Sequence, residues 1–111
     1  TYFKAPSGLP TIQQSLPTHL TIASRNEIPL TQIAKVFSEK TAELYGLKRG
    51  KIEKGYAADL VIFDLNKEFT VKAEDQYSKC GWSPYEGVTL KGEPELVMVN
   101  GKPIYKDRKF I

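Results

Sequence analysis

Apolar positions change period once along this chain, and the change divides it. From Thr11, Ile12, Leu16, Leu20 and Ala23 recur at intervals of four, four and three, which lines one face of a helix. Pro17 falls inside that pattern. It removes a backbone donor and disfavours helix at Leu16, so a kink or two short pieces are predicted. The segment RNEIP ends this helix, and Thr31 is placed to cap the next. Ile33, Val36, Phe37, Leu44 and Tyr45 mark the buried side of that second helix, Gly46 is its left-handed stop, and Ser38 or Thr41 can interrupt it by competing for the backbone.

Beyond Gly46 the apolar residues come in short runs. Leu60-Val-Ile-Phe63 is continuous and rich in β-branched residues, which predicts a strand covered on both faces. Phe69 to Val71 reads as a second strand. Glu95 to Val99, Asn100-Gly101 and Lys102 to Lys106 form a predicted hairpin with a two-residue type I′ turn. Pro103 cannot donate to a ladder, so the returning strand is expected at an edge there. Between Lys72 and Glu93 lies an expected loop of about twenty residues, a length usually functional or packed on something larger. Strands from Asp59 to Leu65 and from Leu96 to Tyr105 are expected in one sheet, against the helix from Thr31 to Tyr45 or against a second copy. The fold class is therefore α+β.

Charge and composition remove several functions. A net charge of +3 from 16 basic and 13 acidic residues is small and interspersed, which argues against nucleic acid. The densest basic cluster, Lys102 to Lys109, is cut by Pro103, Ile104, Tyr105 and Asp107 and reads as a solvated strand edge. No apolar run approaches the roughly 20 residues of a membrane span. A single cysteine fits a reducing compartment, and a cytoplasmic location is expected. The opening TYFKAPSG has neither initiator Met nor signal-peptide pattern, and is expected to be a cut end.

Few residues can carry chemistry. A metal site needs three or four ligands, whereas His19 and Cys80 are each the only residue of their type and lie about sixty positions apart. Neither has a marked partner for a Ser-His-Asp or Cys-His arrangement. His19 beside Leu20 reads as a packing or surface residue, and Cys80 as a small buried side chain. Trp82 and Tyr85 can stack on a ligand or anchor the long loop onto a core. Asp59, between a glycine turn and a strand, can accept bonds from nearby backbone N–H groups and pin the turn, while Asp64 returns the strand to water. No catalytic and no metal-ligating residue is assigned.

A resemblance ties these pieces together. The stretch KGYAADLVIFD is similar to the C-terminal signature of the amidohydrolase superfamily. GLKRGKIEKGYAADLVIFDL, CGWSPYEG and VNGKPIY occur in the order and spacing that end the dihydroorotases, within the cyclic amidohydrolase branch, and KAPSGLP with SLP after it resembles the loop following their last barrel strand. The resemblance runs from about Lys4 to Tyr105. Hydantoinases and allantoinases share much of it.

The resemblance implies a parent enzyme with a (β/α)8 barrel and a composite β-sandwich. There, one or two zinc ions activate water against a cyclic amide, reversibly interconverting N-carbamoyl-aspartate and dihydroorotate in pyrimidine synthesis. Its ligands, a His-x-His pair, a carboxylated lysine, two more histidines and an Asp, have no counterpart in this chain. Residues 1–48 would supply a barrel-derived loop and closing helices, and residues 49–111 the C-terminal half of the sandwich. One role carries over: Ser7 and Gly8 stand where the family's loop contacts substrate through backbone groups, Ser7 where relatives often have Phe. The expected partners are a small-molecule substrate and the remainder of the chain, with homo-oligomers but no nucleic acid and no membrane. The chain alone is expected to bind no zinc and to be inactive. The alternatives are part of a hydantoinase- or allantoinase-like enzyme, or a non-catalytic interaction module whose open strand edges pair with another chain.

Overall fold

A computed structural model describes residues 2–5 and 8–111. A short 3-10 turn, Ile12–Gln14, runs directly into helix α1, Ser15–Arg25. Pro17 is the third residue of α1, within the first turn, where N–H groups have no intrahelical acceptor in any case, so its missing donor is tolerated. The break expected at Pro17 is not found: α1 runs unbroken across it, and the change of helix type comes between Gln14 and Ser15, ahead of it. Leu20, Pro17, Thr21 and Ala23 are buried, but Ile12 is 90% exposed. The 3-10 turn breaks the helical step ahead of α1, and Gln14 faces inward in place of Ile12.

The next helix spans residues 30–44 in three consecutive segments: α2 (Leu30–Ala34), a π turn (Lys35–Glu39) and α3 (Lys40–Leu44). It starts one residue before Thr31, with no side-chain cap; Pro29, φ −59°, supplies a preset entry instead. Of the two residues able to interrupt it, Thr41 has the bond: its hydroxyl donates to the Val36 carbonyl five residues back, at 3.0 Å, the spacing of a π turn. Gly46 ends the helix at φ +63°, its N–H on Glu43 and that of Leu47 on Ala42, the paired bonds of a Schellman stop. The expected buried side does not hold. Val36, Leu44 and Tyr45 are more than half exposed, and Ala42 is buried. No residue of α2 or of the π turn is buried either, so the missing buried side reflects the open cleft beside the helix, with the π turn adding an inserted residue that shifts the face beyond it.

Strands β1 (Leu60–Phe63), β4 (Pro94–Val99), β5 (Lys102–Lys106) and β6 (Lys109–Phe110) form an antiparallel sheet in the order β1-β4-β5-β6. Val61 faces Val97, and Leu60 faces Met98. The predicted hairpin is present, with Asn100 and Gly101 at φ +49° and +76°, the signs a type I′ turn requires. β6 pairs with Tyr105 and Lys106 only, so β5 has β4 alone beside it at Pro103. β1 is not covered on both faces: Val61 and Ile62 are exposed. Nor is the sheet packed against the 30–44 helix, which faces β1 across an open cleft.

β2 (Glu68–Thr70) pairs with β3 (Thr89–Lys91) in a second sheet, so the segment expected as one loop from Lys72 to Glu93 is shortened by a strand. α1 lies on β3. Buried Thr21 donates to the Pro17 carbonyl at 2.7 Å and accepts from the Lys91 N–H at 2.8 Å, joining helix to strand. Leu20 meets Gly92 and, with Ala23, Val71 and Leu90, forms most of the buried apolar core among the described residues.

Asp59 pins a turn, though not the glycine turn before it. One carboxylate oxygen accepts the Asn100 N–H at 2.7 Å and the other meets the Arg49 guanidinium at 2.7 Å, while the Ala58 carbonyl accepts from Gly101. The hairpin tip is thereby tied to the start of β1. Replacing Asp59 by alanine is expected to cost about 1.5–3 kcal/mol, the range for a hydrogen bond to a charged group, and to speed exchange of the Asn100 amide. Hydrogen exchange checks this.

Candidate functional site

The assigned contact positions lie just before α1. Gly8 is exposed at φ +99°, a conformation open to glycine and strained for other residues. A Cβ there would meet nothing within 4 Å, so the surroundings leave its backbone approachable. Ser7 lies outside the described residues. Thr11 donates to the Leu9 carbonyl and Gln14 to that of Thr11, so Gly8 stands a few residues from a buried anchor.

That anchor is a pair of glutamines that the apolar pattern does not single out. The Gln14 side chain, 2% exposed for the residue, donates from Nε2 to Gln76 Oε1 at 2.8 Å and accepts from buried Ser83 Oγ at 3.3 Å. Gln76 donates onward to the Lys72 carbonyl at 2.8 Å. Gln13 donates to the Asp75 carbonyl at 2.8 Å and accepts the Tyr77 N–H at 2.9 Å. Together they fasten the 72–85 segment to the amino end of α1. Ser83 rather than Trp82 anchors the CGWSPYEG stretch, since Trp82 is 41% exposed while Ser83 also accepts the Tyr85 N–H. No local signal marks them, since their partners lie sixty or more positions along the chain. Gln14→Leu is expected to strand the Ser83 hydroxyl and the Gln76 carbonyl and to cost about 1–3 kcal/mol, the desolvation penalty of unpaired buried groups. Urea unfolding measures it.

Beside this clamp lies a cavity of about 220 Å³, bounded by Gln13, Phe69, Asp75, Tyr105 and Arg108. Arg108 reaches both Asp75 (3.0 Å) and Glu93 (3.1 Å), and the Tyr77 hydroxyl donates to its carbonyl at 2.7 Å. Tyr77, Tyr105 and Phe110 meet edge to face, with centroids 4.7–6.4 Å apart. Burial, reinforced by Tyr77, pushes the Tyr105 phenol above its ordinary value. The folded state thus favours the neutral phenol, and this contribution, complete below about pH 10, fades as pH rises past the raised value. In a spectrophotometric titration of the six tyrosines, Tyr105→Phe is expected to remove a component ionising above pH 10.

The two residues with reactive side chains are not brought together. His19 is exposed; its Nδ1 lies 2.7 Å from the Ser15 carbonyl and its ring stands edge-on to Phe37 at 4.5 Å. Cys80 is exposed rather than buried, in a turn whose backbone N–H meets Ser78 Oγ. Among the described residues no three or more His, Cys, Asp or Glu side chains are grouped to hold a metal ion. The zinc set implied by the resemblance does not fit the residues present. No described helix is long and apolar enough to cross a membrane.

Comparison with known proteins agrees with the motifs. The amidohydrolase family matches residues 7–104. The chain is 31% identical over 108 residues to a dihydroorotase of Methanothermobacter thermautotrophicus, covering 96% of this chain and 25% of that one. It is 35% identical over 112 residues to an allantoinase of Desulfitobacterium hafniense, covering 99% and 25%. A D-hydantoinase structure from Thermus sp. superposes with a TM-score of 0.93 at 29% identity, over 100% of this chain and 25% of that chain. The chain spans about a quarter of the length of these relatives. With most of its residues matched from the loop at Gly8 to the hairpin after Asn100, this chain belongs to the amidohydrolase family.

Proposed function

We propose that this chain is the C-terminal portion of a zinc-dependent dihydroorotase, acting on dihydroorotate and N-carbamoyl-aspartate in the cytoplasm. In this reading residues 1–48 are a barrel-derived loop and closing helices, residues 49–111 are half of a β-sandwich, and the parent barrel supplies every metal ligand. The portion contributes scaffold and one substrate contact, the backbone at Ser7 and Gly8. The observation that carries the reading is the exposed, left-handed Gly8, held a few residues from the buried Gln14 anchor. A glycine without a Cβ, in a loop fixed at its downstream end, suits backbone recognition of a small amide ring or its opened form. The dihydroorotase similarity favours that substrate.

A second reading rests on the allantoinase and hydantoinase likenesses: the same portion of an enzyme acting on another cyclic amide. Complementation separates them. The chain would be mixed in turn with the complementary three quarters of a dihydroorotase, a hydantoinase and an allantoinase, and each mixture assayed on the ring its donor hydrolyses. At least tenfold better restoration of kcat/KM with the dihydroorotase part supports the first reading; better restoration with a hydantoinase or allantoinase part supports the second. Gly8→Val in the mixture is expected to raise KM several-fold, since strain and bulk both displace the contacting backbone. An unchanged KM removes the loop from the site.

A further inference from the structure

The two hairpin turns of the four-stranded sheet are built from different residues. Asn100-Gly101 suits positive φ, whereas the turn between β5 and β6 is made by Asp107 and Arg108, at φ +50° and +64°. A short Asp side chain tolerates that region; Arg does not, and such strain persists only where the surroundings over-determine it. Arg108 is held at both ends. Its guanidinium meets Asp75 at 3.0 Å and Glu93 at 3.1 Å, and its carbonyl accepts the Tyr77 hydroxyl at 2.7 Å. Asp75 and Tyr77 grip Arg108 with their side chains and Gln13 with their main chains: the Asp75 carbonyl accepts from Gln13 Nε2, and the Tyr77 N–H donates to Gln13 Oε1. Gln76, between them, takes Gln14. Residues 75–77 thus join the β5–β6 turn to the amino end of α1. From there two turn bonds lead back towards Gly8, since the Gln14 N–H donates to the Thr11 carbonyl at 3.1 Å and the Thr11 N–H to that of Leu9 at 2.9 Å.

We propose that Arg108 and Gln13 are positioning residues for the Gly8 loop: the β5–β6 turn fixes residues 75–77, and these fix where the backbone at Gly8 stands. The inference rests on the reading of Gly8 as a substrate contact. Neither residue touches substrate in this arrangement; each acts through the chain it holds. Small misplacements of a contacting group weaken binding, and a contact shared by bound substrate and transition state shows in KM alone.

Arg108→Gly removes the guanidinium, suits the turn, and keeps the carbonyl that Tyr77 uses, so the hairpin still forms. Gln13→Met removes both amide bonds from an exposed side chain. Lys67→Gln, which breaks the exposed pair with Glu95, is the control. Amide exchange of the 111-residue chain, read by NMR, is expected to speed about fivefold or more at Thr11 and Gln14 in the two variants and not in the control. The Lys91 amide, bonded to Thr21 in the core, should be unchanged. In the mixture with the dihydroorotase part, KM for dihydroorotate is expected to rise about threefold or more with kcat held within about twofold. Arg108→Lys, a point charge able to reach one carboxylate, should recover part of the loss. Unchanged exchange in both variants overturns the inference, as does equal acceleration at Thr11, Gln14 and Lys91, which is general loosening. Faster exchange with an unchanged KM also overturns it where Gly8→Val raises KM. Where Gly8→Val leaves KM unchanged too, the reading of Gly8 fails while the hold on the loop stands.

Discussion

Gly50→Ala is expected to lower the stability of the chain by about 2–5 kcal/mol, combining a left-handed backbone that disfavours a side chain with forced overpacking. Gly50 sits at φ +85°, and the nearest atom to an added methyl is the Ser38 carbonyl oxygen at 2.6 Å. Backbone inside a helix cannot step aside as a side-chain end can, so the connection must lift away from Ser38 and Ala42. Gly87→Ala is the control: its φ is +79°, yet nothing lies within 4 Å of an added Cβ, so only the backbone term of about 1–2 kcal/mol applies. Urea midpoints of the two variants decide the matter. Equal losses would show that the close approach at Gly50 carries no weight.

Leu20→Ala is expected to cost about 3–4 kcal/mol, within the range for a buried leucine that leaves a cavity. Leu20 is 1% exposed at the centre of a small core, so few neighbours can collapse into the space. Its coupling to Gly92 gives a sharper test. A Cβ at Gly92, φ +77°, would lie 2.6 Å from Leu20 Cδ1 and 3.4 Å from Leu20 Cβ. Gly92→Ala alone therefore carries strain and overlap, but on the Leu20→Ala background only the strain and a milder contact remain. The double variant should be more stable than the sum of the singles by about 1 kcal/mol or more, the size expected of residues in direct contact. Additive losses from urea unfolding would contradict the packing described.

The parts of the fold legible in the sequence were those decided locally. Asn100-Gly101 fixes its own turn because both residues tolerate positive φ, and Gly46 stops the helix for the same reason. The β1 run and its pairing with β4 follow from β-branched residues bounded by turns. What failed depended on register or on distant partners. The buried side expected of the 30–44 helix needs a cover that no local pattern supplies, and of Ser38 and Thr41, the two residues able to interrupt it, Thr41 makes the bond at the π turn. β3 is three residues long and gains its identity from β2 across the sheet, which no local pattern reveals. The exposure of β1 was misread because a continuous apolar run signals burial without saying which chain provides the cover.

The site divides the same way. The glycine-turn and strand signature around Asp59 carried the family, and the pinning role expected of Asp59 is present with a different turn as its object. Gly8 could be singled out by resemblance. Gln13 and Gln14 could not, because their partners at residues 72–83 lie sixty or more positions away and amides carry no periodic signal.

Turnover by the 111-residue chain on its own, with zinc supplied and dihydroorotate, hydantoin and allantoin offered in turn, tests the central claim most directly. The account predicts no product from the chain or from its complementary partner separately, and product when the two are combined. Hydrolysis of any of the three rings by the chain alone would contradict it.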